Sequence, residues 1–370
     1  MTLYLDVSAG VNVSSGLGRY SRSLTHALIP RLTRPPALFY NYIEGRTKPI
    51  EGLPELPTTR VKLGYKAWRM AVWMGQLTGR DFRRLTPGVT VFHAMEHLLM
   101  PLNHQPKVST VMTVHDLIFE LFPEHHKRLN HVFLTRAMPL FVKRADAIIT
   151  VSEASKRDLI ERYGTPAEKI TVVYEAADTH FQPPAPEKLA EVRAKYHLPE
   201  QFLLVVGAIE PRKNYSLLVE ALTILRQKHT DLKLVVVGSK GWLYEPFFQR
   251  IKDLRAGEHV IFPGYVPDDD LPAVYSAATI TVMASVYEGF GLPLLEAMAS
   301  GTPVVANQVS CFPEIAGDGA FLVEPGSATE MAGDILALIN QEPLRQTLIN
   351  TGLARATQFS WRKTAKETLE

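Results

Sequence analysis

Apolar, β-branched runs alternate along this chain with stretches in which apolar side chains recur every three or four positions. In the first half "LYLDV", "VTVFH", "STVMTVH" and "AIITVS" read as strands, and "YSRSLTHALIPRL" and "ASKRDLIERY" as helices between them. That alternation predicts an α/β fold with a parallel sheet. The second half repeats the scheme with "FLLVVGA", "LKLVVVG", "HVIFPGYV", "TITVMAS" and "PVVAN". Between the halves lies "HFQPPAPEKLAEVRAKYHLPEQ", rich in proline and charge, as a linker is. The expected organisation is therefore a first domain over 1–180, a linker over 181–200 and a second domain over 201–370. The last helix is free to pack back on the first domain. Both domains are expected to be doubly wound and to face each other across a cleft, with their strand ends pointing into it.

Composition changes this picture little. A chain of 370 residues, 46% hydrophobic, can bury two ordinary cores. One cysteine, Cys311, excludes an intrachain disulfide and fits a reducing compartment. The N-terminal "MTLYLDVSAGV" has no basic start, and no apolar run approaches the roughly 18 residues of a membrane span, so a cytoplasmic protein is expected. Residues 1–180 carry 23 Lys+Arg against 16 Asp+Glu, whereas the remainder carries 17 against 22. This asymmetry disfavours basic partners for the first half.

The richest chemistry lies in "YEGFGLPLLEAMASGTPVVAN", residues 287–307. Glu288 follows an apolar strand, Gly289 and Gly291 loosen the backbone, Pro293 suits a first helical position, and Glu296 falls in the first turns of the helix. Both carboxylates can then face one crevice, onto which a helix N-terminus opens. Carboxylates beside an anion site are poor phosphate ligands but good partners for hydroxyl groups. The pair suggests a sugar and a ribose on either side of a phosphate; the alternative is an acidic helix start with a solvated loop glutamate. Earlier, "VVGAIEPRKNYSLLVEAL" leaves a strand at Gly207 and enters a helix near Asn214, with Arg212 and Lys213 at the junction. Two cations at a strand end suit a diphosphate and would stabilise negative charge on a departing phosphate. Read locally, they are equally a solvated basic helix start.

In the first half "SSGLGRYSRSL" follows the first strand, so Gly16 and Gly18 can bring backbone N–H groups close to an anion or sugar, or simply form a tight turn. The third glycine of a dinucleotide fingerprint is absent. His115 and Asp116 follow "STVMTV" and are expected at a strand end in the cleft. "HAMEH", 93–97, matches a zinc-peptidase pattern, but His93 ends a β-like run and the two histidines are not expected on one helix face. "PDDDLPAVY", with Asp268, Asp269 and Asp270, reads better as an acidic helix start than as a metal site. Residues 60–84 combine seven Lys/Arg with two Trp, a Tyr and a Phe. Such a segment either lies on an anionic membrane surface or is a core-facing helix with a solvated basic side.

Taken together, "EGFGLPLLE", "VVGAIEPRKN", "SGLGRYSRSL", "VHD" and "VSEASKRDL" resemble the retaining nucleotide-sugar glycosyltransferases of family four, across nearly the whole chain. The resemblance implies a GT-B fold of two Rossmann-like domains. It implies that Arg212 and Lys213 bind the donor diphosphate, Glu288 the transferred sugar and Glu296 the nucleotide ribose. The amides of Phe290, Gly291 and Leu292 would add to the phosphate site, Gly16 and Gly18 would close on the diphosphate, and His115 would lie beside the reacting sugar. Val266 would meet the base through its backbone. Ala284 departs from the proline common at its position. The implied enzyme is a retaining, metal-independent hexosyltransferase without a cofactor.

"EPRKN" and "GSKGWLYE" are similar to mannosyltransferases of bacterial surface-polysaccharide assembly, which implies GDP-mannose as donor and a saccharide or lipid-linked saccharide as acceptor. UDP-glucose or another UDP-sugar is the alternative donor. A nucleotide-sugar epimerase and a non-catalytic sugar-nucleotide-binding subunit are the alternatives of other classes. Peripheral membrane contact through 60–84 follows if the acceptor is lipid-linked, and nucleic acid is not an expected partner.

Overall fold

The computed structural model describes residues 2–13, 16–102, 107–228 and 231–370, which form two compact units. The first comprises Met1–Leu121, Arg128–Glu175 and Trp361–Glu370; the second comprises Phe122–Lys127 and Ala176–Ser360.

The first unit is built on a parallel sheet of β1 (Leu3–Asp6), β2 (Ala37–Asn41), β3 (Thr58–Val61), β4 (Val91–Ala94), β5 (Ser109–Val114), β6 (Ala147–Thr150) and β7 (Ile170–Val172). Their spatial order is β3-β2-β1-β4-β5-β6-β7. The second unit has β8 (Phe202–Val206), β9 (Lys233–Val237), β10 (Val260–Gly264), β11 (Ile280–Met283), β12 (Val304–Asn307) and β13 (Phe321–Val323), in the order β10-β9-β8-β11-β12-β13. Both sheets are Rossmann-like. The strand order reverses beside β1 in one and beside β8 in the other, and the strand ends there are the natural ligand crevices.

Helices cover both sheets because their central strands are apolar on both faces. In the second unit every side chain of β11 and β12 is buried. In the first, Phe39, Trp68, Phe92, Met112 and Phe141 belong to one cluster. Helix Gly16–Leu28 does not follow β1 directly, since a short helix, Ser8–Asn12, intervenes. Ser14 and Ser15 of the glycine motif lie outside the described residues.

The segment expected as a linker, 181–200, is part of the second unit, and the change of unit falls at Glu175/Ala176. Pro186 starts a helix, Pro186–Lys195, instead of extending the chain. Lys188 and Lys195 then pair with the buried Asp270 at 2.7 and 2.6 Å, and the Tyr196 hydroxyl donates to it at 2.7 Å. The hydrogen bonds of Lys188 and Lys195 hold the Asp270 carboxyl well below the usual carboxylate range, despite the cost of burial. Asp270 does precede helix Leu271–Ala277, but its side chain caps nothing there. The last helix, Trp361–Leu369, belongs to the first unit: Trp361 packs on Tyr20, and Thr364 donates to the Tyr174 carbonyl at 2.7 Å.

Candidate active site

At the reversal point of the second sheet, β8 and β11 are paired neighbours, so the loops leaving their carboxyl ends must meet. The first carries Glu210, Arg212 and Lys213 and the second carries Ser285 and Glu288. Four charges converge there. Lys213 Nζ lies 2.5 Å from one Glu288 oxygen, which also accepts from Ser285 Oγ at 2.8 Å. The other Glu288 oxygen accepts from Arg212 Nη1, while Arg212 Nη2 donates to Glu210 at 2.5 Å. Glu210, Lys213 and Glu288 are buried. Burial alone would raise the Glu288 carboxyl, but Arg212 and Lys213 outweigh it and bring the group down to about 2. Glu288 is therefore ionised throughout the neutral range. Its stabilisation is complete above the ordinary carboxylate range and is lost only as pH falls toward 2.

Two devices hold the Glu288 loop. Ser310, at a φ of +44° that non-glycine residues rarely adopt, accepts from the Glu288 N–H and donates to the Glu288 carbonyl, both at 2.9 Å. Gly291 has a φ of +86°, and a Cβ there would lie 2.6 Å from a Phe312 ring carbon, so any side chain at this position is strained. Helix Leu292–Ala299 starts immediately after it, and the leading amides of a helix have no intrahelical acceptor. Glu296, in that helix, is buried and accepts from the Tyr275 hydroxyl at 2.8 Å. Phe290 and Leu292 are buried at the helix start, with the Phe290 ring 6.1 Å from that of Phe359. Val266 is buried just past β10, the edge strand, beside an exposed Tyr265. Segment 122–127 adjoins this region: Phe122 packs on Tyr287, and Trp242 donates to the His125 carbonyl at 2.6 Å.

The remaining candidates lie in the first unit. His115 follows β5 and is buried, with Nδ1 3.1 Å from Glu175 Oε1 and Nε2 3.1 Å from the Met95 carbonyl oxygen. Gly16 is exposed at the start of its helix, whereas Gly18 is pressed against the chain itself: a Cβ would fall 1.8 Å from the Val13 carbonyl oxygen. The same helix brings Tyr20 edge-on to His115, with ring centroids 4.6 Å apart. His93 lies within β4 and meets Thr113 at 2.9 Å, so it shares no helix with His97 and the zinc-peptidase geometry is not formed. Beside the reversal point of this sheet, Tyr65 donates to Glu96 at 2.7 Å. Burial, with the nearby Glu96 charge, pushes the Asp6 carboxyl up to about 7.

Sequence reasoning missed Glu210, Ser285, Ser310, Tyr275 and Glu175. Glu210 carried a usable signal, since it stands two positions before Arg212 in the same loop. Ser285 likewise stands three positions before Glu288, whereas Ser310, Tyr275 and Glu175 are joined to their partners only by the fold.

The chain is similar to known proteins. Residues 15–181 match the family model described as Glycosyltransferase Family 4, and residues 190–355 match the one described as Glycosyl transferases group 1. The O-antigen chain mannosyltransferase B of Escherichia coli is 33% identical over 261 residues, covering 70% of this chain and 68% of that protein. The serotype-specific mannosyltransferase WbdA of Escherichia coli is 28% identical over 274 residues, but this chain spans only 33% of its length. Among solved structures, sucrose-phosphate synthase from Thermosynechococcus elongatus superposes over 100% of this chain and 97% of its own, with a TM-score of 0.78 at 22% identity, a likeness of fold. Paired Rossmann-like units, two matching family models and 33% identity over 261 residues to a mannosyltransferase place the chain among the group 1, family 4 glycosyltransferases, of GT-B fold.

Proposed function

We propose that this glycosyltransferase is a retaining hexosyltransferase that moves mannose from GDP-mannose to a saccharide or lipid-linked saccharide acceptor in surface-polysaccharide assembly. The observation that carries the reading is the buried cluster Glu210–Arg212–Lys213–Glu288 at the β8/β11 reversal point. The cluster is balanced, two cations against two carboxylates. A donor diphosphate would compete with Glu288 for Lys213 and Arg212, and negative charge growing on the leaving phosphate would strengthen that contact in the transition state. Glu288, relieved of part of its cation contact, would turn to hydroxyls of the transferred sugar. Glu296 and Tyr275 would hold the ribose, Val266 the base, and the amides of Phe290, Gly291 and Leu292 the phosphates. Gly16 and Gly18 would approach the diphosphate and His115 the sugar. The preference for mannose rests on the mannosyltransferases among the relatives.

Neither a cofactor nor a metal ion is assigned. Of the three aspartates 268–270, Asp270 already has two lysines and a tyrosine as partners, which makes it a poor cation ligand. A panel of nucleotide sugars scored by thermal unfolding tests the donor: GDP-mannose at a hundred times its dissociation constant should stabilise by about 2.7 kcal/mol. Stabilisation by a UDP-sugar and not by GDP-mannose would overturn the donor assignment. Conversion of donor alone would identify an epimerase.

We further place the protein in the cytoplasm, at the inner face of the membrane. Among the described residues no helix is long and apolar enough to cross a membrane. Helix Tyr65–Thr78 buries Trp68 and Val72 on one side, yet its outer side is apolar too: Met70, Met74 and Leu77 are 46, 49 and 57% exposed. Lys62, Lys66 and Arg80 are exposed around them, and Leu129 is 86% exposed on the neighbouring helix, Arg128–Arg144. An apolar stripe edged with cations fits the surface of an anionic bilayer. Binding to vesicles containing phosphatidylglycerol should weaken with salt and drop several-fold in a Met74→Glu/Leu77→Glu variant. Equal binding by wild type and variant, or none by either, would contradict this placement.

A further inference from the structure

His115 and Glu175 face each other at 3.1 Å. Glu175 is the last residue of the first unit before the chain passes to the second, and it lies 60 positions beyond His115. Both side chains are buried. The stretch carrying Glu175 is anchored by Thr364, which donates to the carbonyl of Tyr174. The main chain of His115 is anchored too, because Ser155 Oγ donates to its carbonyl at 2.8 Å.

The contacts of the ring define its protons. A carbonyl oxygen can only accept, so the Nε2 that faces Met95 at 3.1 Å must carry hydrogen. A carboxylate likewise only accepts, so the Nδ1 that faces Glu175 at 3.1 Å carries one as well. Opposite a carboxylate, a neutral imidazole satisfies one of these contacts and leaves the other short of a proton. The ring is matched to its site as an imidazolium, with Glu175 as the partner of its Nδ1.

The charged and titratable groups around the ring agree with that state. Asp116 and Glu96 add negative charge, the Tyr20 ring packs edge-on, Arg69 lies near Glu96, and His93 is a cationic candidate close to the ring. Burial, with the His115 charge, lowers the His93 ring to about 4, so His93 stays neutral and does not compete. Burial alone would lower His115 as well, but the hydrogen bond and charge of Glu175, with the Met95 carbonyl and Asp116, outweigh it and hold the ring above its ordinary value.

We propose that Glu175 is a positioning residue for glycosyl transfer, holding His115 as a doubly protonated ring that can donate hydrogen bonds but cannot act as a base. The inference rests on the reading that His115 lies beside the transferred sugar. His115 then presents an N–H whose resting partner is the Met95 carbonyl, and its role is lost when the ring loses a proton.

Glu175→Gln keeps a hydrogen-bond acceptor and removes the charge. The alkaline limb of its pH–kcat profile should move to lower pH by roughly 1–3 units, with most activity retained on the acid side. Glu175→Asp, which keeps the carboxylate, should restore the limb toward its wild-type place. A merely structural role would lower kcat equally at every pH and leave the limb where it was, and that result would overturn the proposal. Nitrogen-15 NMR of the ring, assigned by its loss in His115→Ala, reads the pair without any transfer assay. It should show both nitrogens protonated at pH 7.5 in the wild type and a neutral ring in Glu175→Gln. A neutral wild-type ring would also overturn the proposal. If no nucleotide sugar supports transfer, the proposed function fails while the NMR result still stands or falls by itself.

Discussion

Lys213→Ala is expected to lower turnover by roughly a hundredfold or more, as removal of one preorganised charge from a developing oxyanion does. Lys213 is buried and rigidly placed, in contact with Glu288 at 2.5 Å, so its charge is in position before the bond breaks and no reorganisation is needed. In the transition state of the proposed reaction the leaving phosphate would carry more charge than in the bound donor, and the lysine would contribute most there. The variant should stay folded, because Glu288 retains Arg212 and Ser285 as partners. Circular dichroism and the unfolding midpoint separate a loss of chemistry from a loss of fold. Wild-type turnover in this variant would remove Lys213 from the leaving-group site.

The two glutamates are expected to fail in different ways. Glu288→Gln should depress kcat and kcat/KM together, roughly a hundredfold, because the transferred sugar gains positive character that only an ionised partner stabilises. Its affinity for the free nucleoside diphosphate should be unchanged or tighter. Glu288 occupies Lys213 and Arg212 when no ligand is bound, and a neutral amide competes for them less well. Glu296→Ala should instead weaken nucleotide affinity and raise the donor KM while sparing more of kcat, since a ribose hydroxyl is held equally in ground and transition states. Steady-state kinetics beside calorimetry with the free nucleoside diphosphate decide this. Loss of nucleotide binding in Glu288→Gln with normal binding in Glu296→Ala would reverse the two roles.

The central strands were legible because they are apolar on both faces and long enough to stand out. "FLLVV", "KLVVV" and "ITVM" became β8, β9 and β11. Two of the edge strands were not: β3 is half exposed and β13 has three residues, and neither run carries a period distinguishing it from a loop. The linker was misplaced because proline and charge mark a helix start as well as an extended chain, and the lysines of 181–200 found their partner in Asp270, far along the sequence. Glu296 was readable as a helix residue, and the Arg-Lys pair and Glu288 as strand-end residues, since motif, strand and helix are contiguous. Their mutual neutralisation was not, because it depends on β8 lying beside β11. His115 was found from its strand for the same reason, and Glu175 was hidden because β6 lies between β5 and β7 in the sheet.

In the proposed function the cations at the β8/β11 reversal point receive the diphosphate of the donor. Calorimetric titration of the wild type and Lys213→Ala with the diphosphate and the monophosphate of the nucleoside selected by the donor panel tests it as a double cycle. The account predicts that the wild type loses much affinity when the second phosphate is removed and that the variant loses little, a coupling of about 1.5–3 kcal/mol for a charged hydrogen bond. An equal loss in both proteins would contradict it, because the second phosphate would then bind without reference to Lys213.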